Sequence, residues 1–135
     1  GTLLHEFLLS GSGRIRNGKV ISNSSQSQYT LACEFEGNLE IGNQSLVSDG
    51  GFDLLIASFS TELASIMSKR MGGEWNERLQ LLEMDGNEKI VFAATFFGEI
   101  DLDGKVLIAQ GSSDAFLARL SLEKLDVLAR LDRLA

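Results

Sequence analysis

The sequence predicts an all-β fold built from two copies of one four-stranded antiparallel unit. Three observations carry this. A stretch recurs: FEGNLEIGNQSLVSDGGFDLLIASFSTE at 35–62 aligns without a gap with FFGEIDLDGKVLIAQGSSDAFLARLSLE at 96–123, a spacing of 61 residues. Phe35, Gly37, Leu46, Gly50, Asp53, Ala57, Ser60 and Glu62 return as Phe96, Gly98, Leu107, Gly111, Asp114, Ala118, Ser121 and Glu123. Short apolar runs alternate with clusters of Gly, Asn, Asp and Ser, the residues that make turns. Proline is absent from the 135 residues while glycine occurs 14 times, so chain reversal rests on those turn formers. A fixed period of this length marks a repeat architecture.

The first copy reads in order as follows. Residues 2–10 (TLLHEFLLS) are apolar enough for a strand, which ends at Gly11-Ser12-Gly13. Asn17-Gly18 between short apolar-containing runs signals a hairpin, because both residues tolerate positive φ. A strand is then expected at 19–22, a polar turn at 22–27 and a strand at 28–35. The connection 36–52 carries Gly37, Gly42, Gly50 and Gly51, with a Leu39, Ile41 alternation that suits a short strand. Residues 53–60 (DLLIASFS) form a strand with Leu55, Ala57 and Phe59 on one face and Leu54, Ile56 and Ser58 on the other. With both faces apolar, this strand belongs between layers. Residues 63–71 continue as a further strand, closed by Gly72-Gly73.

The second copy repeats the plan. A strand at 79–84, a tight turn at Asp85-Gly86-Asn87-Glu88, a strand at 89–97, a glycine-bearing connection to Ser113 and a strand at 114–122 follow in order. The last segment, 125–135 (LDVLARLDRLA), reads two ways. As a strand it puts Leu125, Val127, Ala129 and Leu131 on one face; as a helix it offers an Asp126–Arg130 pair at i, i+4. Its alignment with 64–74 favours the strand. Four antiparallel strands per repeat make a propeller-like blade. A two-sheet β-sandwich built from the same repeats is the alternative. The chain reads as a single repeat domain over 1–135, with a first blade at about 14–73 and a second at about 75–135. Residues 1–13 then supply a strand from a preceding or exchanged blade.

With the strands in place, a resemblance becomes visible. Strand, Asp-Gly-Asn turn, strand ending Phe-x-Gly, connection, then Gly-x-x-Asp and an apolar strand ending Ala-x-Leu resembles the β-propeller repeat of bacterial cell-surface and secreted proteins. Residues 87–98 (NEKIVFAATFFG), 111–120 (GSSDAFLARL), 50–59 (GGFDLLIASF) and the run Gly72-Gly73-Glu74-Trp75-Asn76 carry it. It covers nearly the whole chain, through short and mostly structural motifs. The first copy departs from it, with Ser24-Ser25-Gln26 in place of the Asp-Gly-Asn turn. The last strand of each copy also lacks the tryptophan often seen there. The resemblance implies an extracellular or cell-surface location and no catalytic residues.

Charge narrows the partners. The net charge is −7, which disfavours nucleic acid and anionic membrane, since both call for a basic surface. No run is long enough to span a bilayer. Cys33 is the only cysteine and sits in the apolar run TLACEF, where a small core residue is expected. His5 is the only histidine, so no multi-histidine zinc site can form. Asp85-Gly86-Asn87 departs from the calcium-loop pattern, and Gly-x-Ser-x-Gly is absent. No metal and no cofactor are therefore expected.

Asp53 and Asp114 stand at equivalent positions before an apolar strand. A carboxylate there accepts hydrogen bonds from loop backbone and fixes the turn. Gly37, Gly98, Gly50 and Gly111 join them as structural turn residues. Glu40, Asp101 and Asp103 are candidates for paired acid–base work, against the plainer reading of a solvated acidic face. Trp75 lies in the loop Gly-Gly-Glu-Trp-Asn-Glu, where an exposed indole stacks on a sugar or anchors a partner. Glu74 and Asn76 flank it as ligand-binding candidates. Arg14 holds the equivalent position in the first copy, so Trp75 is outside the repeated framework. A tryptophan that merely covers a blade edge is the alternative.

The function expected is that of a non-enzymatic β-propeller repeat module, a scaffold or a surface for a protein or glycan. A carbohydrate-active or other hydrolytic propeller with acidic residues near the ring centre is the alternative. Propellers have at least about four blades, and this chain supplies two. Self-association through blade faces, or the remainder of a longer propeller, is the partner this implies.

Overall fold

A computed structural model describes residues 12–23, 27–41, 44–60, 65–86, 89–121 and 124–133. The strand expected at 2–10, with His5, lies outside the described residues. In chain order the strands are β1 (Arg14–Ser22), β2 (Gln28–Glu36), β3 (Asn38–Ile41), β4 (Gln44–Val47), β5 (Asp53–Ser60) and β6 (Ser65–Met71). The second half adds β7 (Arg78–Met84), β8 (Ile90–Phe96), β9 (Glu99–Leu102), β10 (Lys105–Ile108), β11 (Ser113–Leu120) and β12 (Leu125–Arg133).

The fold is all-β and antiparallel throughout. Two four-stranded sheets run β1-β2-β5-β6 and β12-β11-β8-β7, and two hairpins, β3–β4 and β9–β10, interrupt them between their second and third strands. Among the described residues each repeat therefore has six strands, not four. The long connections are hairpins in their own right. In the second, Asp103 and Gly104 both take positive φ, 55° and 95°, as a two-residue hairpin turn between twisted strands requires.

Register makes the repeat explicit. Leu31 opposes Ala57 and Phe35 opposes Asp53 in the first sheet; Phe92 opposes Ala118 and Phe96 opposes Asp114 in the second, 61 positions on. The final strand slips from this spacing. Leu55 opposes Arg70, while its counterpart Phe116 opposes Arg130, only 60 positions on. Five residues separate the paired Phe59 and Ser65, and four separate Leu120 and Leu125. The segment from Leu125 is the strand β12, but its ungapped alignment with 64–74 is corrected by one position.

A second correction concerns Asn17-Gly18. There is no hairpin there. β1 runs unbroken from Arg14, and the pairing shifts between Arg16↔Glu34 and Lys19↔Ala32. The positive φ that Asn17 adopts, 55°, serves a β-bulge as well as a turn. The Asn17 side chain holds the bulge, its Nδ2 donating to Glu34 Oε2 at 2.6 Å and to the Leu79 carbonyl at 2.8 Å.

The layers stack front to back. On the front of the first sheet, Cys33, Phe35, Leu55, Ala57 and Phe59 pack with Leu39, Ile41 and Leu46 of the β3–β4 hairpin. On its back, Ala32, Leu54, Ile56 and Met71 join Phe92, Ala94, Phe96, Phe116, Ala118 and Leu120 of the second sheet. The β9–β10 hairpin closes that core with Ile100 and Leu102. β5 is buried on both faces, which its two apolar faces predict. The faces that meet are not equivalent. The residues the second sheet offers are the 61-shifted counterparts of the first sheet's front, not of its back. Phe116 packs edge-on against Phe92 at 5.7 Å between centroids and tilted against Phe96 at 6.0 Å. The far face of the second sheet, with Val91, Ala93, Thr95, Ala115 and Leu117, is only half-buried.

Candidate functional site

The segment joining the repeats, Gly72 to Glu77, is built around two places where no side chain fits. A Cβ on Gly72 would lie 2.1 Å from Cγ of Asp53, and one on Gly73 would lie 2.1 Å from the Glu99 carbonyl oxygen. The double glycine thus lets the chain pass between β5 and β9. Gly72 and Asp101 exchange backbone hydrogen bonds at 3.3 and 3.0 Å. Further on, Asn76 Oδ1 accepts the Phe52 N–H at 2.9 Å, and the Glu77 N–H donates to the Phe52 carbonyl at 2.8 Å.

The two equivalent aspartates share one geometry. Asp53 Oδ2 accepts the Asp49 N–H at 2.9 Å and Arg70 Nη1 at 2.7 Å. Asp114 Oδ2 accepts the Gln110 N–H at 3.0 Å and Arg130 Nη2 at 2.7 Å. Each carboxylate ties its preceding loop to an arginine on the neighbouring strand. Sequence reasoning singled out the aspartates and missed the arginines, because Arg70 and Arg130 are 60 apart rather than 61. Gly37, Gly50, Gly98 and Gly111 all take positive φ, at 90°, 86°, 65° and 89°. The four are two pairs of repeat equivalents.

The junction between the copies adds a buried acid that the sequence did not flag. Glu77 is fully buried beside Asp53, and both its carboxyl oxygens, like Oδ1 of Asp53, have no hydrogen-bond partner among the described residues. Burial, and then the Asp53 carboxylate beside it, push the Glu77 pKa up to about 9. Burial also raises Asp53, against the Asp49 N–H and Arg70. Glu77 therefore holds its proton at neutral pH, beside the Asp53 carboxylate. One negative charge, matched by Arg70, then stands where a second, unmatched one would be costly.

Trp75 sits on the outer side of the same segment. A Cβ on Gly98 would come within 2.9 Å of the indole Cδ1, so the indole lies against backbone that carries no side chain. Glu74, Trp75, Gly98, Glu99, Ile108 and Ala109 line a groove of about 450 Å³ beside it. Trp75 keeps 60% of its surface exposed and Ile108 59%. Of the three ligand-binding candidates, Glu74 and Trp75 line the groove, while the Asn76 carbonyl is committed to Phe52. The groove also draws on Glu99 of β9 and Ile108 at the end of β10, which sequence reasoning did not identify.

The remaining candidates lie apart. Asp101 Oδ1 accepts the Gly104 N–H at 2.7 Å inside the β9–β10 turn, and Asp103 pairs with Lys69 at 2.7 Å. Glu40 is on β3, and no hydrogen bond or ion pair among the described residues links it to either. Cys33 is buried; burial, and then Glu34, push its thiol up to about 11. Among the described residues no group of three His, Cys, Asp or Glu side chains is placed to hold a metal, and no helix is long and apolar enough to cross a membrane. No family model, curated protein or solved structure matches the chain.

Proposed function

We propose that the chain is a non-enzymatic repeat module of two propeller-like blades that binds a ligand, protein or glycan, in the groove beside Trp75. The exposure of Trp75 carries the reading. An indole that sets its Cδ1–Nε1 edge against glycine backbone and leaves most of its surface exposed offers a stacking platform, apolar in body with a polar N–H at its edge. A groove of about 450 Å³ falls within the usual range of ligand sites.

The propeller-like part rests on layering. Successive blades of a propeller stack in one sense around the ring, and front-to-back stacking of the two sheets fits that better than a sandwich, in which two inner faces meet. The resemblance to bacterial surface repeats agrees with it, and a cell-surface or secreted location is proposed on that resemblance alone. Ring closure calls for further blades, from other copies of this chain or from the remainder of a longer propeller. The half-buried face of the second sheet supports this, because its counterparts in the first sheet (Thr30, Ala32, Glu34, Leu54 and Ile56) are fully buried.

The non-enzymatic reading draws support from the carboxylates that do meet. Asp53 and Glu77 are both buried, whereas glycoside hydrolysis needs two carboxyl groups flanking a bound substrate. Glycan and peptide arrays probed in parallel with wild type and Trp75→Ala test the proposal. Binding that disappears in the variant is expected; wild type that binds neither array overturns it.

A further inference from the structure

We propose that the Trp75 groove selects a cation: the lysine or arginine side chain of a basic peptide. The inference rests on the groove being a ligand site and adds the chemistry of what enters. Two carboxylate residues, Glu74 and Glu99, line the groove with the indole, and among the described residues no lysine or arginine does. Neither glutamate forms an ion pair among the described residues. An excess of acidic over basic residues, 19 against 12, leaves some carboxylates unmatched in any arrangement. What sets these two apart is that they share a groove with an exposed indole. Arg130 reaches the Ile108 carbonyl, but its charge is already matched by Asp114.

A cation is the ligand that uses all three features at once. Its charge is attracted to the face of the indole and to both glutamates. Its aliphatic stem has Ile108 and Ala109 to lie against, as long basic side chains do on apolar surface. A neutral sugar can stack on the ring but leaves the carboxylates without a counter-charge, and an acidic ligand is repelled.

Trp75 is the only tryptophan, so intrinsic fluorescence reports on the groove directly. The intact chain is titrated with tri-arginine and tri-lysine peptides blocked at both ends, with blocked tri-acetyl-lysine, and with a neutral glucose oligosaccharide. A saturable emission change with the two cationic peptides alone, weakened by added salt, is expected. Glu74→Gln and Glu99→Gln should each weaken binding about two- to five-fold, the scale of a contact to an exposed charge. Glu83→Gln changes an exposed acid on β7 that does not line the groove, and it should leave binding unchanged. Equal weakening by Glu83→Gln would show attraction to net charge alone and overturn the proposal. So would equal binding of the acetylated peptide. If only the oligosaccharide binds, the cation is wrong and the ligand groove stands. If no probe binds and the arrays are blank, both fall.

Discussion

Glu34 in the first sheet accepts the backbone N–H of Leu79 in the second, Oε2 to N at 2.9 Å. The same buried carboxylate takes Asn17 Nδ2 on Oε2 and Arg16 Nε on Oε1, each at 2.6 Å. One side chain thus fastens the β1 bulge and the first strand of the next repeat together. Replacing Glu34 by alanine strands the Leu79 N–H and leaves Arg16 without its partner. A loss of about 2–3 kcal/mol in urea unfolding is expected, from the scale of hydrogen bonds to buried charges. Glu34→Gln should lose less, since its carbonyl still accepts from Leu79. An unchanged midpoint in the alanine variant would show that the link carries no stability.

The protonated Glu77 makes stability depend on pH. Its folded pKa, about 9 against an ordinary 4.5, is raised. The folded state therefore holds a proton that the unfolded chain releases above about pH 4.5. Stability is greatest below that point and falls as pH rises toward 9; Asp53, also raised, acts in the same direction. Urea midpoints measured from pH 5 to pH 9 should decline, and Glu77→Gln should flatten the decline. The same slope in the variant would place the titrating group elsewhere.

Gly72→Ala puts a methyl group 2.1 Å from the Asp53 carboxyl carbon. The carboxylate is held by Arg70 and the Asp49 N–H and has little room to move. Overpacking of this kind costs about 1–3 kcal/mol. Gly86→Ala is the control, because nothing lies within 4 Å of its added Cβ; it should change stability by less than about 0.5 kcal/mol. Equal midpoints for the two variants would mean that the junction yields easily.

Ala57 and Ala118 are both completely buried, one in each core. Aspartate at either place buries a carboxylate with no partner, at a cost above about 4 kcal/mol. Unfolding or a large drop in urea midpoint is expected for each single variant, and unchanged midpoints would show that these positions are exposed.

How much of this was legible depends on range. The all-β class, the repeat and the two faces of β5 follow from period-two alternation and from the recurrence of Phe35, Asp53 and Ala57. The β9–β10 hairpin had a local signal in Asp103-Gly104, masked by strands of only four residues. Asn17-Gly18 carried a genuine positive-φ signal, but a bulge and a turn ask the same of Asn17 and differ only in what the following residues pair with. Arg70 and Arg130 were hidden because cross-strand register, not sequence spacing, selects the partners of Asp53 and Asp114. Trp75 and Glu74 stood out as loop residues. Glu99 and Ile108 reach them only through the folded hairpin. Asn76, beside Trp75 in the same loop, reads as a ligand contact, yet the tight loop uses its side-chain carbonyl on Phe52. Glu77 looks like one more loop acid until the junction packs over it.

The proposed stacking of the two sheets as propeller blades is tested most directly by mass in solution. Two chains supply four blades and three supply six, within the range that closes a propeller. Light scattering coupled to size exclusion, at micromolar concentration, should find an assembly of at least two chains. A stable, well-folded monomer near 14.7 kDa would contradict ring closure by copies of this chain and favour a self-sufficient two-sheet sandwich.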